Sequence, residues 1–340
     1  MRDAPPPVVF AAAPLRIDLA GSGGLPTVAA GRPSAAVTVA LSLNVRAEIR
    51  LGGQTIRLSA LDEDERVTVS SPSAITYDGR LDRHKAALNM MPVTGGIELL
   101  TSRDVPGAAG LGADTAANVA MVAALAHCRR ERYAPSELAT FAVALEREEL
   151  GRPGNPIDAW AAAIGGALEI RAAGEDVETN LVTNDSTVVD DLARHLVLVP
   201  LSRSRAGGIG GEAVARALAA GDAATAEAVG ALEDLVAPAV TAVSAGAARE
   251  LTGVFDQAWA AQRRLDAALS AAPMRSLEER LRAAGAWAWK LTTGSGGGSL
   301  LVLCDPAGRG RVETAARTEG CVPCIVAPGD GVRVWEEAEP

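Results

Sequence analysis

The sequence predicts an α+β fold organised as two domains, and three observations carry that prediction. Short β-rich runs dominate the first hundred residues, a block of helical stretches follows, and an apolar strand at 195–201 starts afresh after a polar, aperiodic segment. A chain of 340 residues with 48% hydrophobic content has enough apolar side chains for two cores. The boundary is expected inside the polar segment, with residues 1–185 as the N-terminal domain and 186–340 as the C-terminal domain.

Taken in order, strands are expected at 8–13, 34–50, 55–60, 66–70 and 95–102. Period-two alternation is clearest in Ala47-Glu48-Ile49-Arg50-Leu51 and Arg66-Val67-Thr68-Val69, as half-buried strands require. A short helix at 82–91 lies among them. Helices at 114–130, 135–150 and 157–164 come next, the last two separated by Gly151-Arg152-Pro153-Gly154. A strand at 168–171 leads into 172–190, which reads as an exposed hairpin or linker. Beyond the strand at 195–201, helices are expected at 211–220, 223–245, 249–272 and 276–284, with Leu251, Val254, Phe255 and Ala258 at helical period. Strands at 289–293, 299–304, 321–327 and 332–335 close the chain.

Composition narrows the function. With 32 basic against 42 acidic residues the formal charge is −10, which argues against nucleic acid and anionic membranes as partners and favours a small molecule. No stretch approaches the ~18 apolar residues of a membrane span, and Met1-Arg2-Asp3-Ala4-Pro5-Pro6-Pro7 is not the start of a signal peptide, so a cytoplasmic protein is expected. Cys321 and Cys324 form a lone C-x-x-C without a second pair, and His84, His127 and His195 have no metal-ligand spacing. These read as ordinary thiols and as core or surface histidines.

The chemistry is carried by glycine-rich segments. Pro106-Gly107-Ala108-Ala109-Gly110-Leu111-Gly112 ends a β-like run and opens an apolar helix, a geometry that presents free backbone N–H groups and a helix dipole to a phosphate. It is neither a Walker loop, lacking Gly-Lys-Ser/Thr, nor a dinucleotide fingerprint. Thr292-Thr293-Gly294-Ser295-Gly296-Gly297-Gly298-Ser299 sets four glycines between two strands, which costs about 0.5–1 kcal/mol each unless close approach to a ligand compensates. Asp158, in Asn155-Pro156-Ile157-Asp158-Ala159-Trp160, falls in the first turn of a helix, where a carboxylate ordinarily serves as cap or dipole partner.

Together with Ala13-Pro14-Leu15-Arg16-Ile17-Asp18-Leu19-Ala20-Gly21, these segments resemble the GHMP kinase superfamily of galactose, homoserine, mevalonate and phosphomevalonate kinases, over nearly the whole chain. Gly285-Ala286-Trp287-Ala288-Trp289-Lys290-Leu291 and Phe255-Asp256-Gln257-Ala258-Trp259 are most similar to the sugar kinases that act on the anomeric hydroxyl of heptose 7-phosphate or fucose. The resemblance implies an N-terminal domain of the ribosomal protein S5 domain 2 type and a ferredoxin-like C-terminal domain, with ATP and sugar in the cleft between them. Pro106, Gly107, Ala109, Gly110, Leu111, Gly112, Ala113, Asp114 and Thr115 would wrap the triphosphate, and Asp114 and Thr115 would meet Mg²⁺. Asp18, Ser22, Gly23 and Gly24, with Gly294, Ser295, Gly296 and Gly297, would face the substrate. Asp158 would stand beside the acceptor hydroxyl to orient or deprotonate it, and Arg16 is the matched basic residue, catalytic or a structural ion-pair partner. The acceptor would be a sugar or cyclitol phosphate and the protein a monomer or homodimer.

Two positions depart from the pattern. Ala20-Gly21-Ser22-Gly23-Gly24-Leu25-Pro26 lacks the aspartate that binds sugar hydroxyls in those kinases, and Gly112-Ala113-Asp114-Thr115 stands where they have Gly-Ser-Ser. Asp114 is a metal ligand, a helix cap or a mark of altered activity; without a cation it would repel a triphosphate by roughly 1–4 kcal/mol at ~4 Å. A non-catalytic homologue that binds a metabolite or nucleotide is the alternative these departures support.

Overall fold

The computed structural model describes residues 8–105, 109–201, 211–292, 298–318, 321, 324–325 and 328–337. Its strands form two sheets. The larger contains β1 (Val8–Gly21), β2 (Ser34–Leu51), β3 (Ile56–Ala60), β4 (Glu65–Val69), β5 (Ile97–Arg103), β6 (Ala167–Ala173), β7 (Asp176–Thr183) and β12 (Arg333–Glu337), with the spatial order β12-β1-β2-β5-β3-β4 and β6 and β7 continuing from the other end of β2. Only β3 and β5 pair in parallel among these strands. The smaller sheet is antiparallel, in the order β11 (Cys324–Ile325), β8 (Leu196–Leu201), β10 (Gly298–Cys304), β9 (Ala286–Thr292).

Helices α1 (Asp82–Met90), α2 (Ala113–Cys128), α3 (Pro135–Ala144) and α4 (Pro156–Ile164) accompany the larger sheet. Every residue of α2 from Thr115 to Ala126 is buried, which its run of alanines permits by letting sheet and neighbouring helices approach from all sides. The remaining helices are α5 (Ser186–Arg194), α6 (Gly211–Ala219), α7 (Ala223–Glu233), α8 (Val236–Ser244), α9 (Leu251–Leu265), α10 (Ala272–Ala283) and α11 (Arg309–Thr318); α5, α9, α10 and α11 pack on the smaller sheet, whereas α7 and α8 reach β1 and β2 of the larger one. No described helix is long and apolar enough to cross a membrane.

The structure departs from the sequence expectations in instructive places. The first strand runs through the whole first motif to Gly21. The helix expected at 223–245 is two helices, because Pro238 has no N–H for the carbonyl four residues back and the chain restarts at Val236. The helix from Pro135 yields to a π-type turn at Leu145–Glu149. Residues 172–190 contain a true hairpin strand, β7, and the start of α5, capped by Asp185 through the Thr187 N–H at 2.9 Å. Helix α11 was not anticipated; its two buried residues, Val312 and Ala316, are spaced one turn apart in an otherwise polar segment.

Strand β12 comes from the end of the chain, yet it pairs with β1 in the larger sheet, Phe10 opposite Trp335 with stacked rings 5.5 Å apart. The sheet built mainly by the first half is thus edged by the second.

Candidate active site

Strand periodicity sets the first two functional side chains. Arg16 and Asp18 are two residues apart on β1 and are both buried. The β1–β2 register shifts between Pro14 and Arg16 and again between Asp18 and Ala20, so an irregularity on each side of the pair re-aims it. The Arg16 guanidinium donates from Nε to Asp158 Oδ1 at 2.9 Å and from Nη2 to the same oxygen, while Nη1 lies 3.2 Å from Asp18 Oδ2.

Asp158 reaches this guanidinium from the first turn of α4. Asn155 caps that helix, its side chain accepting from the Ile157 N–H at 3.0 Å, and Pro156 occupies the first turn. The same Asn155 side chain donates to the Gly23 carbonyl at 2.6 Å, which fixes the first-motif turn against the helix. Asp158 Oδ2 takes no hydrogen bond among the described residues. Burial raises the Asp158 carboxyl to about 6, with Asp18 adding to the rise and Arg16 opposing it. Burial pulls the Arg16 guanidinium down, but Asp158 and Asp18 more than offset it and hold it above its ordinary value.

The phosphate-loop candidate adjoins this pair. The Arg16 N–H donates to the Leu111 carbonyl at 3.0 Å, and Gly112, in the left-handed region at φ 73°, faces the Asp158 carboxyl and the Arg16 side chain. Ala109, Gly110, Leu111, Gly112, Ala113, Asp114 and Thr115 line a cavity of about 560 Å³ together with Gly24, Asn155, Asp158, Arg83, Glu146 and Glu212. The third motif also converges here: Ser299 Oγ donates to the Ala109 carbonyl at 2.8 Å, and Gly110 packs on Gly298 and Thr292. Pro106 and Gly107, and Gly294, Ser295, Gly296 and Gly297 from the third motif, lie outside the described residues.

Ser22, Gly23 and Gly24 occupy different positions in that turn. Gly24 lines the cavity, Gly23 packs against Ile157 and Asp18, and Ser22 is fully buried. Ser22 Oγ contacts Ser34 Oγ at 2.9 Å and donates to Glu233 Oε1 at 2.8 Å, which brings a carboxylate from α7 to the motif that lacks its own acid. Burial raises the Glu233 carboxyl above its usual range, partly offset by Ser22.

Asp114 does not cap α2. Its Oδ2 accepts from Arg83 Nη2 at 3.0 Å and its Oδ1 lies 3.5 Å from Arg103 Nη1. Arg83 Nη1 also donates to Glu146 Oε1, and Arg103 pairs with Asp62 and Glu63. Among the described residues no three His, Cys, Asp or Glu side chains come together as a metal site. With both Asp114 oxygens beside guanidinium groups, the donors present do not fit a resident Mg²⁺.

Two residues here escaped sequence reasoning. Glu146 looked like one of several charges in Leu145-Glu146-Arg147-Glu148-Glu149, and only the turn of backbone shows that it is buried. Lys290 is fully buried on β9, donating to the Asp18 carbonyl at 2.8 Å and the Leu291 carbonyl at 2.9 Å. A lysine inside the apolar run Ala288-Trp289-Lys290-Leu291 was the available signal.

Burial depresses Lys290 to about 8, with Asp18 opposing and Arg16 reinforcing. A base whose folded value falls below its unfolded one makes the unfolded state bind more protons between pH 8 and about 10.4. Stability should therefore rise across that window by ~1–3 kcal/mol relative to Lys290→Met, measured as paired urea titrations at pH 8 and 10. Identical pH slopes in the two proteins would refute the burial argument.

Residues 81–166 match the family model for the GHMP kinases N terminal domain. The fold is similar to that of a D-glycero-D-manno-heptose 1-phosphate kinase from Bacteriodes thetaiotaomicron, with TM-score 0.78 and 20% identity over 97% of this chain and 100% of that one. It is similar to Lactococcus lactis galactokinase complexed with galactose, with TM-score 0.71, 16% identity and coverage of 96% and 95%. Methanococcus jannaschii mevalonate kinase gives TM-score 0.68 at 15% identity, covering 99% and 98%. No curated protein sequence matches the chain.

Proposed function

The chain belongs to the GHMP kinase superfamily of small-molecule kinases, and from that premise we propose that it transfers the γ-phosphoryl group of ATP to a hydroxyl of a sugar or sugar phosphate, the anomeric hydroxyl of a heptose-like acceptor. The observation that carries the proposal is Asp158: a carboxylate at the cavity wall, its side chain 12% exposed, one oxygen held by Arg16 and the other without a partner among the described residues, beside a loop that opens a helix.

Phosphoryl transfer asks the protein for placement and charge stabilisation more than for covalent chemistry. In this reading the N-terminus of α2 and the backbone of Ala109–Thr115 face the phosphates. The acceptor hydroxyl donates to Asp158 Oδ2 and passes its proton there as the oxygen attacks. Arg16 fixes the carboxylate's orientation and compensates its charge. A carboxyl that titrates at about 6 is ionised at neutral pH yet basic enough to take that proton. Glu212, at the cavity wall, offers an acceptor for the other hydroxyls in place of the missing first-motif acid. ATP is the donor that GHMP kinases use. Because Asp114 and Glu146 are engaged by Arg83, no step is drawn through Mg²⁺.

Radiolabelled phosphate transfer from ATP to a panel of heptoses, heptose phosphates, fucose, galactose and cyclitols tests the proposal. Transfer to at least one member is expected. The engaged oxygens of Asp114 favour a second reading, a nucleotide-binding homologue without transfer. ATP binding by calorimetry with no transfer across the panel would select it.

A further inference from the structure

The Arg83 guanidinium joins two carboxylates that come from different elements. It projects from α1 into the cavity, its side chain 19% exposed, and spans Asp114 at the start of α2 and Glu146 in the π-type turn. Glu146 is 7% exposed, so its charge is out of reach of effective solvation and needs a cation at contact. Asp114 and Glu146 together hold Arg83 above its ordinary value, against the effect of burial.

Two further oxygens stand by without partners. Thr115 lines the cavity at 5% exposure, and its hydroxyl makes no hydrogen bond among the described residues. Asn118 is fully buried; its Nδ2 donates to Glu146 Oε1 at 3.1 Å, while its Oδ1 has no partner. Carboxylate, hydroxyl and amide oxygens are the donors that hard divalent cations select, and here the two carboxylates hold a guanidinium instead.

We propose that Arg83 is a protein-borne cation that masks an oxygen-lined divalent-cation site formed by Asp114, Glu146 and Thr115, so that the nucleotide-free protein takes up no free divalent ion. A free ion must displace a guanidinium that satisfies two carboxylates, one of them buried, and leave that guanidinium with no counter-charge from either. Removing Arg83 turns the balance over, since the buried Glu146 is left without its cation and Asp114 keeps only the more distant Arg103, at 3.5 Å, so the pair draws in an available cation. The proposal concerns the same cleft as the kinase reading, but its test needs neither nucleotide nor acceptor, so either can fail alone.

The probe is Mn²⁺ alone, with free ion followed by electron paramagnetic resonance during titration of the nucleotide-free full chain. The wild type is expected to leave Mn²⁺ free, whereas Arg83→Met and Arg83→Gln take up one ion per chain at least tenfold more tightly. Adding Glu146→Gln to either variant should abolish the gain. A wild type that already binds one Mn²⁺ tightly, folded Arg83 variants that bind no better, or loss of the native fold in both variants would each overturn the proposal.

Discussion

Replacing Asp158 with asparagine is expected to lower kcat by ~10³-fold, the upper part of the range for loss of a general base, while ATP affinity changes little. Asparagine keeps the size of the side chain and can still meet Arg16, but it cannot accept a proton at Oδ2. In the wild type the rate should fall tenfold per pH unit below about 6, because the protonated carboxyl has no base to offer. The residual rate of the variant should be flat across that range. Initial-rate profiles from pH 5 to 8 for both proteins check this, and a wild-type profile with no inflection near 6 would remove Asp158 from the role. The sign for stability is opposite to that for activity. A carboxyl whose folded value is raised favours the fold most at pH below its unfolded value near 3.9, and that contribution is lost as pH rises through about 6. At neutral pH the base is kept ionised against the preference of its surroundings, as is common at sites where function competes with stability.

The second large effect concerns Gly21, at the end of β1. Its φ is +95°, outside the region that L residues adopt readily, and a Cβ there would lie 2.0 Å from the Ala35 carbonyl oxygen and 2.6 Å from Ala36 Cα. Both are backbone atoms of the paired strand β2, so no side chain can turn aside. Gly21→Ala should cost about 4 kcal/mol, combining backbone strain with overpacking. Gly174, also at positive φ but with nothing within 4 Å of its would-be Cβ, should lose only about 1 kcal/mol on the same change. Chemical denaturation of the two variants makes the comparison, and equal losses would show that strain, not close approach, sets the cost.

Much of the architecture was legible because its signals are local. Alternation placed β2 and β4, apolar continuity placed α2, and Asn155-Pro156 announced the start of α4 that carries Asp158. What sequence could not supply was long-range partnership. Ser22 meets Glu233 across 211 positions, and Lys290 meets Asp18 across 272. No periodicity reports such pairings. Asp114 shows the same limit differently: its place in a first turn suggested a cap or an ion, and its true partners sit on α1 and β5. Where the fold had to be corrected, the cause was a local rule overruled or unheeded: Pro238 splitting α7 from α8, and a lone apolar pair marking α11.

The pairing of β12 with β1 bears on how the molecule comes into being. On a ribosome, the edge of β1 toward β12 stays open until residues 333–337 have been made, more than 300 residues after β1 itself. At about 5–20 residues per second, an apolar strand carrying Val8, Val9 and Ala11 waits on the order of tens of seconds with unpaired backbone groups on that side. The edge of the sheet that presents Arg16 and Asp18 is therefore completed only long after β1 has been made, and the interval between the two is a window of vulnerability to aggregation that belongs to the birth of the protein and leaves no trace in its finished form.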